Sequence, residues 1–430
     1  MKKQFKHPAD IIVEYMNRIY THGMTTTSGG NLSIIDSDGN MWISPGSVDK
    51  GTLRREDIVC VKKDGNICGC HKPSCEYPFH LAVYKLRPDV KAVLHAHPPA
   101  LVSFSIAAKT PNLATLPLFK EICGSVGFAI YDVPGSSELG DKVAAEFAKG
   151  HNTILLENHG TCCAAESMEE AFKRFETLDF AARTISNAIA LGKPVAVAAA
   201  KLAKYFENRN TGFTTLKKHV ISSAEQDARR QLEAFTKRAY EQFLFTSTSG
   251  TFAVRVDDDS FLVTPAGLDR AKATADDFVL VKKGAIEEGK TPDRFTWFFK
   301  EIFEKRPDIS AISMSSPPYI MGYAVANAPF DPRVIPESYL LLREMPTFAF
   351  GSQYTKTKQV LATISQRNPV VMFNNDCMVT IGNTILQSFD RMEVAEYSAK
   401  ATIAAQAFGG MTPINEKQVA DLVKAFNLIP

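Results

Sequence analysis

The stretch PSCEYPFHLAVYKLRPDVKAVLHAHPP, residues 73–99, lies without a gap against PDRFTWFFKEIFEKRPDISAISMSSPP, residues 292–318. The RPD triplet and the closing PP pair coincide. Upstream, TSGGNLSIIDSDGNMWISPGSVDK (27–50) matches STSGTFAVRVDDDSFLVTPAGLDR (247–270), and downstream NTILLENHGTC (152–162) matches PVVMFNNDCMV (369–379). Blocks repeated in one order mark tandem copies of a single folding unit. The copies are expected at 1–210 and 211–430. Their joint falls near FENRNTGFTT (206–215), between an Ala-rich helical stretch and the amphipathic SSAEQDARRQLEAFTKRAYEQF (222–243).

Each copy predicts a helix, short strands such as NLSII and MWISP, a helix carrying FHLAVYKL, and the strand KAVLHAH. A further strand, TILLENHG, precedes a long amphipathic helix from Ser167 to about Leu191. Hairpin turns at DSDGN and KDGN among these elements point to a layered α/β unit.

Of the 430 residues, 45% are hydrophobic, and 49 Lys and Arg stand against 47 Asp and Glu for a net charge of +2. No basic footprint for nucleic acid is present, so small, roughly neutral partners are expected. The N-terminal lysines run into His, Pro and Asp before any apolar segment, and no apolar run reaches membrane-span length. A cytoplasmic protein with no membrane partner is expected. Eight cysteines divide seven to one between the halves, a poor layout for disulfides, so reduced thiols are expected.

His95 and His97 stand two apart in a predicted strand and therefore share a face. His159 ends the apolar ILL run, where a turn can expose a ring beside a cleft. Three neutral imidazoles with an open fourth position suit a catalytic divalent ion, zinc most naturally; satisfied core histidines are the alternative reading. In the second copy Met314, Ser316 and Asp376 occupy these positions, and Phe295 stands opposite Glu76. The joint loss groups Glu76 with the histidines. PSCE itself reads as a helix start, with Ser74 as N-cap and Glu76 in the first turn.

SGGNLS, ISPGS, PSCE before a helix, VLHAHP and ENHG together resemble the class II aldolase/adducin family. The resemblance implies two tandem layered α/β/α domains, the second degenerate. It implies that His95, His97 and His159 bind Zn2+ or another divalent ion such as Mn2+ or Co2+, and that Glu76 is the acid/base. Gly30, Asn31, Ser44, Gly46, Ser47, Ser74 and Cys75 become the candidates for substrate or phosphate binding. The implied activity is aldol cleavage of a small sugar phosphate. Epimerase, dehydratase or decarboxylase chemistry on the same fold, or a non-catalytic assembly role, remain open. The family's sites lie between subunits of a fourfold ring, so a homo-oligomer is implied, with a dimer of duplicated chains forming a four-domain ring.

Three departures qualify the carry-over. Cys75 replaces a serine, a weaker donor to an anion. The loop order is Gly46 then Ser47, where the second copy has Ala266 then Gly267. The tyrosine implied as proton donor is missing from LPLFKEI (116–122), whereas VIPESYLLL (334–342) carries Tyr339. Tyr339 is then either lent to the first copy's site or an ordinary packed tyrosine. Two further patterns are discounted: GAIEEGKT (284–291), a phosphate-loop match followed at once by Pro292, and Cys68, Cys70, His71 and Cys75, whose spacing fits no common zinc knuckle.

Overall fold

A computed structural model describes residues 6–207, 212–217 and 219–428. It divides into two compact units, one of residues 1–113 and 118–182, the other of 114–117 and 183–430. The division falls inside the long helix Met168–Leu191, not at the expected 210/211, part of which lies outside the described residues. The reason is packing. Beyond Ala182 the chain ties itself to the second unit, with the Asn187 amide donating to Pro318 O at 3.1 Å and Val195 N to Val325 O at 2.9 Å.

The first unit builds a sheet from β1 (Asn31–Ile35), β2 (Met41–Ile43), β3 (Val59–Val61), β4 (Ile67–Cys68), β5 (Ala92–Ala96), β6 (Val126–Ala129), β7 (Thr153–Leu156) and β8 (Gly160–Ala165). Its order is β4-β3-β2-β1-β5-β8-β7-β6, antiparallel except for β6 on β7. The hairpins at DSDGN and KDGN form as expected, joining β1 to β2 and β3 to β4. The strand β8 is additional to the sequence reading; its GTCCAA run carries no alternation because it is buried throughout. Helices cover the sheet in an α/β/α arrangement. Phe79 and Val83 of α1 (Tyr77–Leu86) join Val143 and Phe147 of α2 (Ser137–Ala148) on Val93, Ile154 and Cys162 of the sheet. Elsewhere, Tyr15 of the first helix, Pro8–Thr21, packs on Phe172 of the helix Met168–Leu191.

The second unit repeats this plan. The strands Thr251–Asp257, Ser260–Val263, Val279–Lys282 and Ala285–Glu287 match β1 to β4, and Ala311–Ser315, Val370–Phe373 and Cys377–Gly382 match β5, β7 and β8. Registers match as well: Asn31 pairs with His95 in one unit, Thr251 with Met314 in the other. GAIEEGKT forms the strand Ala285–Glu287 and a turn, with Lys290 Nζ on Phe278 O at 2.8 Å, so it opens no phosphate-binding helix. Among the described residues no helix is long and apolar enough to cross a membrane.

In the second unit the buried Glu396 accepts from the Tyr319 and Ile320 amides at the start of the helix Pro318–Ala326, at 2.9–3.1 Å. Burial pushes its carboxyl up to about 7, against the pull of those amides, Lys400 and Arg183. The native state therefore holds this proton at pH values where the unfolded chain has released it. The associated stability is present at low pH and lost as pH rises through 7. The thermal midpoint of this unit is predicted to fall between about pH 5 and pH 8, and Glu396→Gln to flatten the slope. A midpoint rising over that range would contradict the assignment.

Candidate functional site

The site assembles at one end of the first unit's central strands. His95 lies in β5, His97 one residue beyond it, and His159 in the tight β7–β8 turn, where Asn158 adopts φ 52°. The second unit keeps that left-handed turn at Asn375, φ 61°, so the turn belongs to the fold and the histidine does not. The ligand nitrogens of the three rings lie within 4.8 Å of one another. Close approach needs a glycine beside them: a Cβ on Gly160 would stand 2.5 Å from the His97 ring and 2.6 Å from Ala96 O.

His95 Nδ1 lies 2.9 Å from Thr161 O, and a carbonyl can only accept, so the proton sits on Nδ1. The Nε2 lone pair then points at His97 Nε2, 2.9 Å away. Burial pushes His95 down to about 3 against the attraction of Glu76, and burial likewise lowers His97. Both rings are neutral at physiological pH, the form that binds a metal ion. Three imidazole nitrogens gathered this closely suit a divalent cation, and the residues fit such an ion.

Glu76 completes the group, 3.4 Å from His95 Nε2 and 3.2 Å from His159 Nε2. Its Oε1 makes no aligned hydrogen bond among the described residues. Burial works against its ionisation, but His95, His159 and the Asn31 amide outweigh it and hold the carboxyl well below the usual carboxylate range. The expected capping is corrected. Glu76 is itself the N-cap of α1, its side chain free of the helix, and Ser74 Oγ accepts from Glu76 N at 3.3 Å and Asn31 Nδ2 at 3.1 Å. A carboxylate turned onto its own helix could not face the histidines.

A cavity of about 1020 Å³ opens on this group, lined by Gly30, Asn31, Gly46, Ser47, Ser74, Cys75, Glu76, His97 and His159 among others. Ser44 does not line it. It is fully buried, with Oγ accepting from Leu32 N at 3.1 Å, and Thr264 does the same for Phe252 N in the second unit. Ser44 therefore serves the strand, a correction to its grouping with the substrate ligands. Gly46 N donates to Lys72 O, and Asn31 Nδ2 is committed to Glu76 Oε2 at 2.7 Å. The Ser74 hydroxyl accepts two bonds and keeps its proton to donate. Ser47 adopts φ 56°, where the second unit has Gly267 at φ 71°. A serine there carries left-handed strain that the glycine of the second unit avoids.

Sequence reading missed His80, Ser33 and Tyr84, buried or half-buried behind Asn31. The signal was available, because Phe299, Ala253 and Phe303 replace them in the second copy. Tyr339 lies in the second unit on the helix Pro336–Leu342, half-buried, with Arg343 5.5 Å from its ring centroid. Cys70 and His71 gather with Asp57, but His71 pairs with Asp57 at 2.9 Å and the Cys70 thiol donates to Glu56 O; Cys68 and Cys75 stay out of the group.

At the matching place in the second unit, Asp376 receives Gln353 Nε2 at 2.7 Å and Arg294 Nη2 at 3.2 Å, and Arg294 also reaches the Tyr205 hydroxyl. Arg294 stands where Cys75 does. An Arg294–Asp376 ion pair takes the place of Cys75 and His159.

A profile described as Class II Aldolase and Adducin N-terminal domain matches residues 10–186 and again 230–403, reproducing the repeat. The chain is 32% identical over 186 residues to 5-deoxy-D-ribulose 1-phosphate aldolase of Bacillus thuringiensis serovar kurstaki, covering 43% of this chain and 86% of that protein. It is 29% identical over 178 residues to L-fuculose phosphate aldolase of Methanocaldococcus jannaschii, covering 41% and 91%. It is 33% identical over 180 residues to 3-oxo-tetronate 4-phosphate decarboxylase of Escherichia coli O6:H1, covering 40% and 84%.

Elemental analysis of the purified chain is predicted to find one divalent ion per chain, not two. His95→Ala should remove it and leave the fold intact, and retention of the full equivalent in that variant would exclude this site.

Proposed function

The chain belongs to the class II aldolase/adducin family, and we propose that its first unit is a divalent-metal-dependent lyase cleaving a small phosphorylated ketose by reversible retro-aldol reaction. One observation carries the reading: a buried carboxylate faces three clustered imidazoles, two of them held neutral by burial, beside an open cavity. His95, His97 and His159 would hold the ion. Bound there, it would supply Lewis acidity, drawing electron density from the ketose carbonyl so that the neighbouring carbon–carbon bond can break. Glu76 moves the proton on the carbon beside that carbonyl, removing it in the addition direction and returning it after cleavage. Asn31 keeps the carboxylate on its target, and the hydroxyls of Ser47 and Ser74 donate to the phosphate, with Cys75 beside them. Tyr339 is retained as the proposed donor of the proton taken up by the departing aldehyde oxygen.

Decarboxylation of a 3-oxo acid phosphate is the second reading. It is favoured by the missing tyrosine in residues 116–122, because loss of carbon dioxide leaves no aldehyde oxygen to protonate.

The deciding assay offers 5-deoxy-D-ribulose 1-phosphate, L-fuculose 1-phosphate and 3-oxo-tetronate 4-phosphate to the metal-loaded chain. Aldehyde release from a ketose phosphate is expected, and carbon dioxide without aldehyde would select the second reading. Glu76→Gln should lower kcat by about 10²- to 10⁴-fold with metal content unchanged. Undiminished kcat in Tyr339→Phe would remove that residue from the scheme. Ser47→Gly relieves about 1–2 kcal/mol of left-handed strain, offset by about 0.5–1 kcal/mol of glycine chain entropy. Stability should therefore scarcely change while KM for the phosphorylated substrate rises about ten-fold or more. An unchanged KM would show that Ser47 does not touch the phosphate.

A further inference from the structure

We propose that His80 is a positioning residue for Glu76, acting through the Asn31 amide at the head of a one-way chain of buried hydrogen bonds. The inference rests on the role given to Glu76 above. His80 Nε2 lies 2.5 Å from Asn31 Oδ1, and His80 Nδ1 lies 2.6 Å from Ser33 Oγ. Tyr84 Oη lies 2.8 Å from Ser33 Oγ and donates to Ser33 O at 3.0 Å. Ser33 and His80 have no exposed surface and Asn31 has 2%.

The Asn31 amide fixes the sense of the bonds in this chain. Its Nδ2 donates to Glu76 Oε2 at 2.7 Å and Ser74 Oγ at 3.1 Å, so Asn31 Oδ1 faces His80 and must accept from Nε2–H. Burial pushes His80 down to about 3, so the ring carries a single proton and Nδ1 must accept from the Ser33 hydroxyl. With its own proton spent on His80, Ser33 Oγ can only accept from Tyr84, whose hydroxyl proton is shared between Ser33 Oγ at 2.8 Å and Ser33 O at 3.0 Å. Reversing any link would set two donors or two acceptors face to face. The wire therefore holds the amide in one of its two flips, and the carboxylate in one place.

The second unit shows that the fold does not need this wire. With the same strand register, Ala253, Phe299 and Phe303 occupy the positions of Ser33, His80 and Tyr84, and all three join one apolar cluster with Phe295, the residue opposite Glu76. A buried polar network is costly when any member goes unmet, and apolar residues of similar size pack the same space without that risk. The first unit keeps the polar set where it has a carboxylate to aim, and the second unit dropped carboxylate and wire together.

The test is made on the full chain carrying Ser33→Ala, His80→Phe and Tyr84→Phe, the residues the second unit uses. The inference predicts a folded protein with one equivalent of metal and KM within about three-fold of the parent. Its kcat should fall about 10²-fold, the penalty for a misplaced reacting group. His80→Gln, whose amide can still donate to Asn31 Oδ1, should recover much of that loss. A structural role alone predicts the reverse, lost folding or metal with normal turnover in whatever remains loaded. Normal kcat in the folded, loaded triple variant would overturn the inference. Should the parent cleave none of the sugar phosphates, the proposed reaction fails separately, and 15N spectra of histidine-labelled protein still decide the wire. They should show His80 as the neutral Nε2–H tautomer, whereas the Nδ1–H tautomer would reverse Asn31 and overturn the inference.

Discussion

The pairing of β1 with β5, Asn31 opposite His95, is the constraint on which the site depends. That one register sets the carboxylate's holder beside a metal-ligand candidate, although the two lie far apart in sequence. A slip by one residue would turn His95 to the opposite face of the sheet and separate it from Asn31. The next pairing, β5 with β8, places the Thr161 carbonyl under His95 Nδ1 and so decides which ring nitrogen faces His97 and Glu76. Sheet geometry that the core needs anyway thus supplies both tautomer and direction.

Duplication lets structural and chemical roles be separated within one chain. Features kept in both units serve the fold: the left-handed asparagine of the β7–β8 turn, the hydroxyl of Ser44 or Thr264 on the strand amide, and the buried cation of Lys50 or Arg270 on loop carbonyls. Features present only in the first unit converge on one cavity: three histidines, Glu76, and the polar chain from Tyr84 to Asn31. Their replacements in the second unit include an ion pair and packed phenylalanines.

The repeat, the hairpins and the two-apart histidines were legible because each is a local pattern. The grouping of Glu76 with the histidines was legible from their joint loss in the second copy, but its posture was not, since the same PSCE signal suits a carboxylate inside a helix or at its cap. The bonds joining Asn31 to Ser74, Glu76 and His80 span 43 to 49 residues, and no periodicity reports partners at that distance. Nor did composition mark the division of the chain inside the helix Met168–Leu191, because helix propensity runs straight through it. Ser47 shows the same limit from another side: its left-handed backbone is visible only in the fold, although Gly267 in the second copy hinted at it.

His95, His97 and His159 are proposed to hold a divalent ion in the first unit. Zinc K-edge absorption on the zinc-loaded full chain tests it most directly. Ligation by these rings gives a nitrogen and oxygen shell at about 2.0–2.1 Å with outer scattering from imidazole rings and no sulfur. A sulfur shell at about 2.3 Å, placing the ion on a cysteine such as Cys70, would contradict it.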